Sequence, residues 1–169
     1  LTLLPLIQPA FLTKISIASS AAVLIPSTQK VNASERYNFY FDRGAKKYDK
    51  GDLSGAIADY TKAININSQD ENAFYNRGLA KHDSEDYSGA IADYTSAIDL
   101  NPNDMDFYFN RGLSYIDSGD NKKAIKDYTK VIQLTPEDSL AYYNRAISKE
   151  NIEDFKGAIK DYTKTIDLD

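Results

Sequence analysis

Side chains that could do acid–base, nucleophilic or metal chemistry are few in this sequence. It contains one histidine, His82, and no cysteine, and it has neither a glycine-rich phosphate loop nor a metal-ligand spacing. General acid–base catalysis needs a base with a positioned partner, and no partner constellation accompanies His82. Acidic pairs such as Glu85-Asp86 are interpreted as solvated turn residues. The sequence therefore predicts a protein that is not an enzyme and needs no metal or cofactor.

Arginine and aspartate recur at a fixed spacing and indicate a structural ion pair. The arginines are Arg43, Arg77, Arg111 and Arg145, and the aspartates are Asp59, Asp93, Asp127 and Asp161. Arginine can bind a carboxylate through two parallel hydrogen bonds. Four copies of each residue favour a repeated contact within or between structural units over a row that binds a partner.

These residues belong to a 34-residue unit that the chain repeats without a gap. The copies are residues 37–70, 71–104, 105–138 and 139–169, and the last copy is shorter. We number repeat positions from the first residue of each copy. Positions 2–14 and 18–31 are predicted helices, because turn residues separate them and Pro102 and Pro136 follow the second helix. Self-similarity at this period indicates a solenoid.

Small and large residues alternate on the predicted packing faces. On the first helix, positions 4, 8 and 11 share a face, with an aromatic residue at 4 and Gly or Ala at 8. On the second helix, position 20 is always Ala and position 24 always Tyr. Small residues opposite large ones let antiparallel helices pack closely, and each pair buries its remaining apolar face against the next pair. The predicted fold is all-α, a solenoid of antiparallel helix pairs.

The aromatic-x-x-x-Gly, Ala-x-x-x-Tyr and Pro spacing at this period resembles the tetratricopeptide repeat family over residues 37–169. The resemblance implies a right-handed superhelix of about four repeats, whose first helices line a concave groove for a partner's peptide or helix. It implies a non-catalytic interaction scaffold or adaptor, with complex assembly as one such role. The chain departs from the family pattern with Tyr or Phe for Trp at position 4 and with Arg at position 7.

The exposed face of the first helix predicts the binding residues. Repeat positions 2, 5, 6, 9 and 13 point away from the packing face. The predicted groove consists of Phe41, Asp42, Asp49, Asn72, Tyr75, Asn76, Leu79, Asp83, Asp106, Phe109, Asn110, Leu113, Asp117, Tyr143, Asn144 and Ile147. The alternative is that the residues at positions 5 and 9 only pack between repeats. Fully buried rings at position 5 would exclude them from the groove.

Charge and side-chain type narrow the class of partner. The formal net charge is -5, which argues against nucleic-acid backbones and anionic membranes as default partners. Aromatic rings, amides and carboxylates suit a protein or peptide partner, an apolar segment that carries basic residues. Some grooves of the family hold a partner's terminal carboxylate with lysine. Here position 5 is aromatic, so an acidic C-terminal tail is not expected.

Residues 1–33 have the composition of an export signal. They contain no Asp or Glu, and Lys14 precedes an uncharged run over residues 15–25. Val31-Asn32-Ala33 matches a small-residue cleavage pattern, so we expect cleavage near Ala33 and export of the repeat domain. The alternative is an uncleaved membrane anchor, the one case in which a membrane is expected. The run after Lys14 is shorter than the ~20 residues of a spanning helix.

The last helix of the fourth copy raises a further expectation. Solenoids normally carry a polar capping element, and none follows Ile159, Tyr162 and Ile166 in this sequence. Either the chain is truncated, or self-association or a partner covers this apolar face. The uncovered face also leaves two alternatives to an interaction scaffold. One is an interaction arm of a longer, possibly enzymatic, protein, and the other is a self-assembling structural solenoid without a specific ligand.

Overall fold

Eight helices make up the part of the chain that the computed structural model describes, residues 32–168. They are α1 (Ala33–Tyr48), α2 (Leu53–Ile66), α3 (Glu71–Asp83), α4 (Tyr87–Leu100), α5 (Met105–Asp117), α6 (Asn121–Leu134), α7 (Ser139–Glu150) and α8 (Phe155–Leu168). Odd-numbered helices are the first helices of the repeats and even-numbered helices the second. The predicted all-α fold with two helices per repeat is confirmed.

The first helix begins earlier than the repeat pattern predicted. α1 starts at Ala33, because the Asn32 side chain accepts a hydrogen bond from the Glu35 backbone N–H at 2.8 Å. The Glu35 carboxylate in turn accepts one from the Asn32 backbone N–H at 3.2 Å, which completes a capping box. Cleavage after Ala33 would remove this cap. Up to residue 31, the predicted export signal lies outside the described residues and stays a prediction.

Aspartates in the turns are helix caps and not merely solvated residues. At repeat position 16 an aspartate precedes each second helix, and its carboxylate accepts a backbone N–H three residues later at 2.9–3.2 Å. Aspartates at position 34 cap the following first helices in a similar way. Each cap typically contributes ~1 kcal/mol. This role was not predicted from the sequence, although Asp directly before a helix is a standard start signal.

Each helix pair closes through a small residue on the first helix and a tyrosine on the second. A Cβ atom at Gly78 would lie 2.7 Å from Cε1 of Tyr94, so the ring lies directly against the helix backbone. Gly44 and Gly112 meet Tyr60 and Tyr128 in the same way. These three tyrosines are buried, as are the alanines at position 20. The predicted packing of small against large residues is confirmed.

The buried face of the first helix differs from the prediction at two places. Positions 3 and 10 are buried at the repeat junctions, and Ala73, Ala80 and Ser114 are fully covered. Position 11 was expected on the apolar packing face, but Lys81 there extends its ammonium group to 2.8 Å from Asp93. The lysines of the first and fourth repeats make the same ion pair. A long cationic side chain can reach a buried carboxylate while its stem packs.

The predicted contact between arginine and aspartate is present in every repeat. Arg77 donates from Nε and Nη2 to the two carboxylate oxygens of Asp93 at 2.8 and 2.6 Å. The other three repeats have the same two-point geometry. Arg77 Nη1 also donates to Thr61 of the preceding repeat at 3.0 Å, and the next two junctions repeat this bond. We call positions 7, 23 and 25 the arginine lattice, and it joins each repeat to the one before.

The lattice carboxylates are buried, and the pKa values of two of them, Asp59 and Asp161, are lowered. The hydrogen bond from Arg43 lowers the pKa of Asp59 to about 2, and Lys47 adds to this effect. Burial alone would raise the pKa of Asp161, but hydrogen bonds from Arg145 and Lys149 outweigh it and hold the pKa below its usual value. Buried charges with this many donors are stable only as long as every partner is present.

Candidate interaction surface

The first helices line the concave side of the repeat domain. α1 contacts α3, α3 contacts α5 and α5 contacts α7, whereas the second helices do not contact one another within residues 32–168. The stack therefore bends towards its first helices. Solenoids of this kind bind partners along their concave surface. This side carries the predicted groove residues.

The aromatic residues at position 5 form a ladder of half-buried rings. Each packs on the position-24 tyrosine of its own repeat, with ring centroids 5.5–5.9 Å apart. Tyr75 also contacts Phe107 of the next repeat at 5.1 Å. Tyr143 is 45 % exposed, and Phe41, Tyr75 and Phe109 are partly exposed. The rings therefore have both a structural contact and an accessible edge, and their role in binding stays a prediction.

Asparagines at position 6 present oxygen atoms to the groove. The amide nitrogen of Asn76 donates to the backbone oxygen of Asn72, one helical turn earlier, at 2.7 Å. The amide nitrogens of Asn110 and Asn144 donate in the same way to the backbone oxygens of Asp106 and Leu140, both at 2.9 Å. Asn110 also donates to the Tyr75 hydroxyl at 3.1 Å. Because the nitrogen is held by the protein, Oδ1 is left to accept a hydrogen bond from a partner. In the first repeat this position is Asp42, which is exposed.

The aspartates at position 13 are only partly free, because two of them bridge neighbouring repeats. The Tyr48 hydroxyl donates to Asp83, and burial together with this bond raises the pKa of Tyr48 to about 12. His82 lies at the groove edge, with Nε2 3.5 Å from Asp117 and Nδ1 2.9 Å from Ser114 Oγ. These bridges were not predicted from the sequence. A signal was present, since position 12 changes to Ile116 where the next position 13 changes to Asn151.

The remaining predicted groove residues are accessible. Asn72, Asp106 and Asp49 are exposed, and the aliphatic residues Leu79, Leu113 and Ile147 at position 9 are partly buried. Partial burial raises the pKa of Asp106, and the nearby carboxylates of Asp104 and Asp138 raise it further. Burial first, and then the negative charge of these neighbours, disfavour the ionised form of Asp106.

Comparison with known proteins identifies the repeat. A family model described as TPR repeat matches residues 44–85, 80–119 and 112–151. The chain belongs to the tetratricopeptide repeat family. A crystal structure of MamA is 26 % identical and covers 87 % of this chain and 82 % of its own, with a TM-score of 0.76. Among curated protein sequences, none matches the chain.

Two other solved tetratricopeptide structures share the fold. The TPR domain of Arabidopsis OM64 is 21 % identical over 70 % of this chain and 98 % of its own, with a TM-score of 0.67. The first TPR of Spaghetti (RPAP3) is 23 % identical over 73 % of this chain and 97 % of its own, with a TM-score of 0.68. The chain is thus a tetratricopeptide solenoid, an architecture that serves as a protein-interaction scaffold.

The outer side of α8 leaves apolar residues uncovered. Ile159 is 66 % exposed and Ile166 is 77 % exposed, whereas Ile98, the counterpart of Ile166 in the second repeat, is 8 % exposed. In the three inner junctions the first helix of the next repeat covers this side. Self-association through this face stays a prediction.

Neither a metal site nor a membrane span occurs in residues 32–168. No three histidine or acidic side chains come together there in a way that could hold a metal ion. None of the described helices combines the length and apolar character needed to cross a membrane.

Proposed function

We propose that the concave surface of this tetratricopeptide solenoid binds a protein segment that combines apolar side chains with lysine or arginine. One observation carries the proposal. Groove positions 2, 5, 6, 9 and 13 contain five aspartates and no cationic residue in any of the four repeats, beside the half-buried aromatic ladder. Aromatic rings bury apolar area at low entropic cost, and carboxylates attract cations and steer their approach.

Hydrogen-bonding capacity supports the same class of partner. The position-6 asparagines offer Oδ1 as an acceptor, and exposed Asp42, Asp49 and Asp106 offer acceptors only. A partner rich in N–H donors satisfies this surface, whereas a partner rich in carboxylates would place like charges together. The solved structure of Spaghetti (RPAP3) is described as bound to the HSP90 peptide SRMEEVD. An acidic tail of that kind is a poor match for the groove of this chain.

As a scaffold, the domain would hold a partner's segment in the groove while other proteins bind the rest of its surface. This arrangement is that of an adaptor or a complex-assembly factor. The groove extends over four consecutive first helices and can follow an extended or helical segment. No enzymatic step is part of this proposal.

Two labelled peptides test the proposal. One is an amphipathic sequence of leucine, tyrosine and lysine, and the other has glutamate in place of each lysine. We expect the full chain to bind the lysine peptide with an affinity that falls as salt rises, and to bind the glutamate peptide far more weakly. Changing Asp42, Asp49 and Asp106 to asparagine should reduce the affinity for the lysine peptide by about 10-fold, at ~0.5 kcal/mol per exposed charge.

A matched control removes the same charge elsewhere. Asp99→Asn, Glu137→Gln and Asp167→Asn neutralise three exposed carboxylates outside the predicted groove. This triple variant should bind the lysine peptide as the wild type does. Equal losses in the two triple variants, or equal binding of both peptides, would show that the groove does not select a cationic segment. Circular dichroism and thermal melting of each variant separate loss of binding from loss of folding.

A further inference from the structure

The outer faces of the second helices differ between the two halves of the domain. Repeat positions 18, 22 and 26 follow one another at four-residue spacing on this face. In α4 these residues are Ser88, Ala92 and Ser96, whereas in α6 and α8 all three are lysine. We call the six side chains the lysine array. They are Lys122, Lys126, Lys130, Lys156, Lys160 and Lys164.

The lysine array is accessible to solvent. Four of its members are exposed, and Lys130 and Lys164 are partly exposed. Within residues 32–168, none of the six lysines forms a salt bridge. Two other lysines do pair: Lys123, next to Lys122 on α6, pairs with Asp120, and Lys149 on α7 pairs with Asp161. Asp167 lies on the same exposed side of α8, where α6 has Gln133.

Folding does not account for this concentration of charge. Like charges four residues apart destabilise a helix, and each row places two such pairs in succession. The second repeat has the same helix pair with serine and alanine at these positions. The array thus weakens its own helices, whereas repeat positions that the fold requires, such as Asp93 and Tyr94, are identical in every copy.

We propose that the lysine array docks the domain on an anionic membrane surface. Groups of four to eight lysines on helices bind acidic lipid headgroups through summed electrostatic attraction. The array lies on the convex side, away from the concave groove, and only a convex or flat face can approach a planar bilayer. It spans two helices and so offers a two-dimensional patch and not a line. The groove would face away from the lipid and stay open to its partner.

Side-chain chemistry favours lipid over other polyanions. Every member of the array is lysine, a compact and strongly hydrated point charge, while specific recognition of carboxylate or phosphate pairs uses the planar fork of arginine. No aromatic residue occupies positions 18, 22 or 26, so a platform for stacking nucleic-acid bases is missing from these rows.

The acidic net charge does not prevent this orientation. The predicted groove aspartates lie on the other layer of helices, and each helix layer is ~10 Å thick with its side chains. Electrostatic interactions between exposed groups decay over ~8 Å at physiological salt. The lipid surface therefore senses the nearby lysines more strongly than the aspartates of the opposite face. The expectation from net charge alone, that anionic membranes are avoided, averages over two faces of different sign.

Vesicle sedimentation tests the proposal with the full chain. Vesicles contain phosphatidylcholine alone or phosphatidylcholine with an equal part of phosphatidylglycerol. We expect stronger binding to the anionic vesicles, and loss of the difference at high salt. The test variant gives α8 the residues of α4, with the changes Lys156→Ser, Lys160→Ala and Lys164→Ser. Its partitioning to anionic vesicles should fall on the order of 100-fold, the loss expected for three lysines near such a surface.

A matched variant, with changes in α1 and in the turn that follows it, removes the same charge from another exposed surface. It carries Arg36→Ser, Lys46→Ser and Lys50→Ser, all at exposed positions. Its partitioning should stay within about threefold of the wild type, since these residues lie outside the array. Comparing variants of the full chain cancels any contribution of residues 1–31, and binding to pure phosphatidylcholine measures the part of that contribution that does not depend on charge.

Three results would overturn the proposal. One is equal binding of the wild type to neutral and anionic vesicles. Another is an equal loss in the α8 and α1 variants, which would indicate a net-charge effect. The third is no vesicle binding, together with lysine-dependent binding of a polyglutamate peptide or of a second copy of the chain. The groove variant Asp42→Asn/Asp49→Asn/Asp106→Asn should bind vesicles like the wild type, so failure of the groove proposal is a separate result.

Discussion

The arginine lattice and the groove use the same amino acid for opposite purposes. Asp93 in the lattice is 3 % exposed and holds Arg77 and Lys81, while Asp83, ten residues earlier in the same repeat, is exposed at the groove edge. The lattice aspartate is present in all four copies, and the groove position changes to Asn151 in the last. For these two sets of aspartates, identity between copies accompanies a buried contact, and variation accompanies an exposed one.

The largest expected effect comes from breaking the lattice. Asp93→Ala leaves two cations without their buried carboxylate, and losing one member of a buried pair typically costs about 3–5 kcal/mol. Asp83→Ala removes an exposed carboxylate with one tyrosine partner and should cost less than about 1 kcal/mol. Urea unfolding of both variants measures the free energies directly. Similar losses of unfolding free energy in the two variants would mean that burial does not make the lattice aspartate more important for stability than the groove aspartate.

Most of the fold could be predicted, because the repeat supplies several copies of each constraint. The helix pair, the small residue opposite Tyr94 and the contact between Arg77 and Asp93 each follow from residue types at fixed spacing. The bond from Arg77 to Thr61 was not predicted, although Thr is invariant at position 25. Its partner lies in the preceding repeat, and spacing within one copy does not specify contacts between copies.

Less of the candidate surface could be predicted, for two physical reasons. A helical wheel gives the exposed side but not what a neighbouring helix brings to it, so the bridges from Tyr48 to Asp83 and from His82 to Asp117 were missed. Net charge is a sum over the whole chain and conceals opposite signs on two faces. The lysine array becomes evident only when the outer positions of α4 and α6 are compared copy by copy.

An intermediate effect concerns acid stability, where the lattice and the groove should again differ. The folded-state pKa of Asp59 is about 2, below the ordinary value of ~3.9. A carboxyl group with a depressed pKa stabilises the folded state at pH values above its ordinary pKa. That contribution is lost as the pH falls through ~4 towards the folded-state pKa. We expect the urea midpoint of the wild type to fall across this window.

Asp59→Asn serves as the comparison for acid stability. This variant should be less stable at neutral pH and should show a flatter decline below ~4, since the titrating lattice group is gone. Chemical denaturation at a series of pH values measures both slopes. An unchanged slope would assign acid sensitivity to other carboxylates and would contradict a dominant role for the lattice.

The smallest effect tests whether variation between copies always indicates a surface under functional selection. Position 15 is glycine in the first and third repeats and glutamate in the second and fourth. The backbone angle φ is 77° at Gly51, 84° at Gly119 and 65° at both Glu85 and Glu153. A left-handed conformation costs a residue with a Cβ atom ~1–2 kcal/mol. Glycine avoids this cost but loses more backbone entropy on folding, which offsets ~0.5–1 kcal/mol of the gain. Glu85→Gly should therefore stabilise the domain by about 0.5 kcal/mol, or ~1–2 °C in melting temperature.

The reciprocal change Gly119→Glu should lower the melting temperature by a similar amount. If Glu85→Gly is instead neutral or destabilising, the glutamate makes a contribution that offsets its strained backbone, and variation at this turn has a structural meaning of its own.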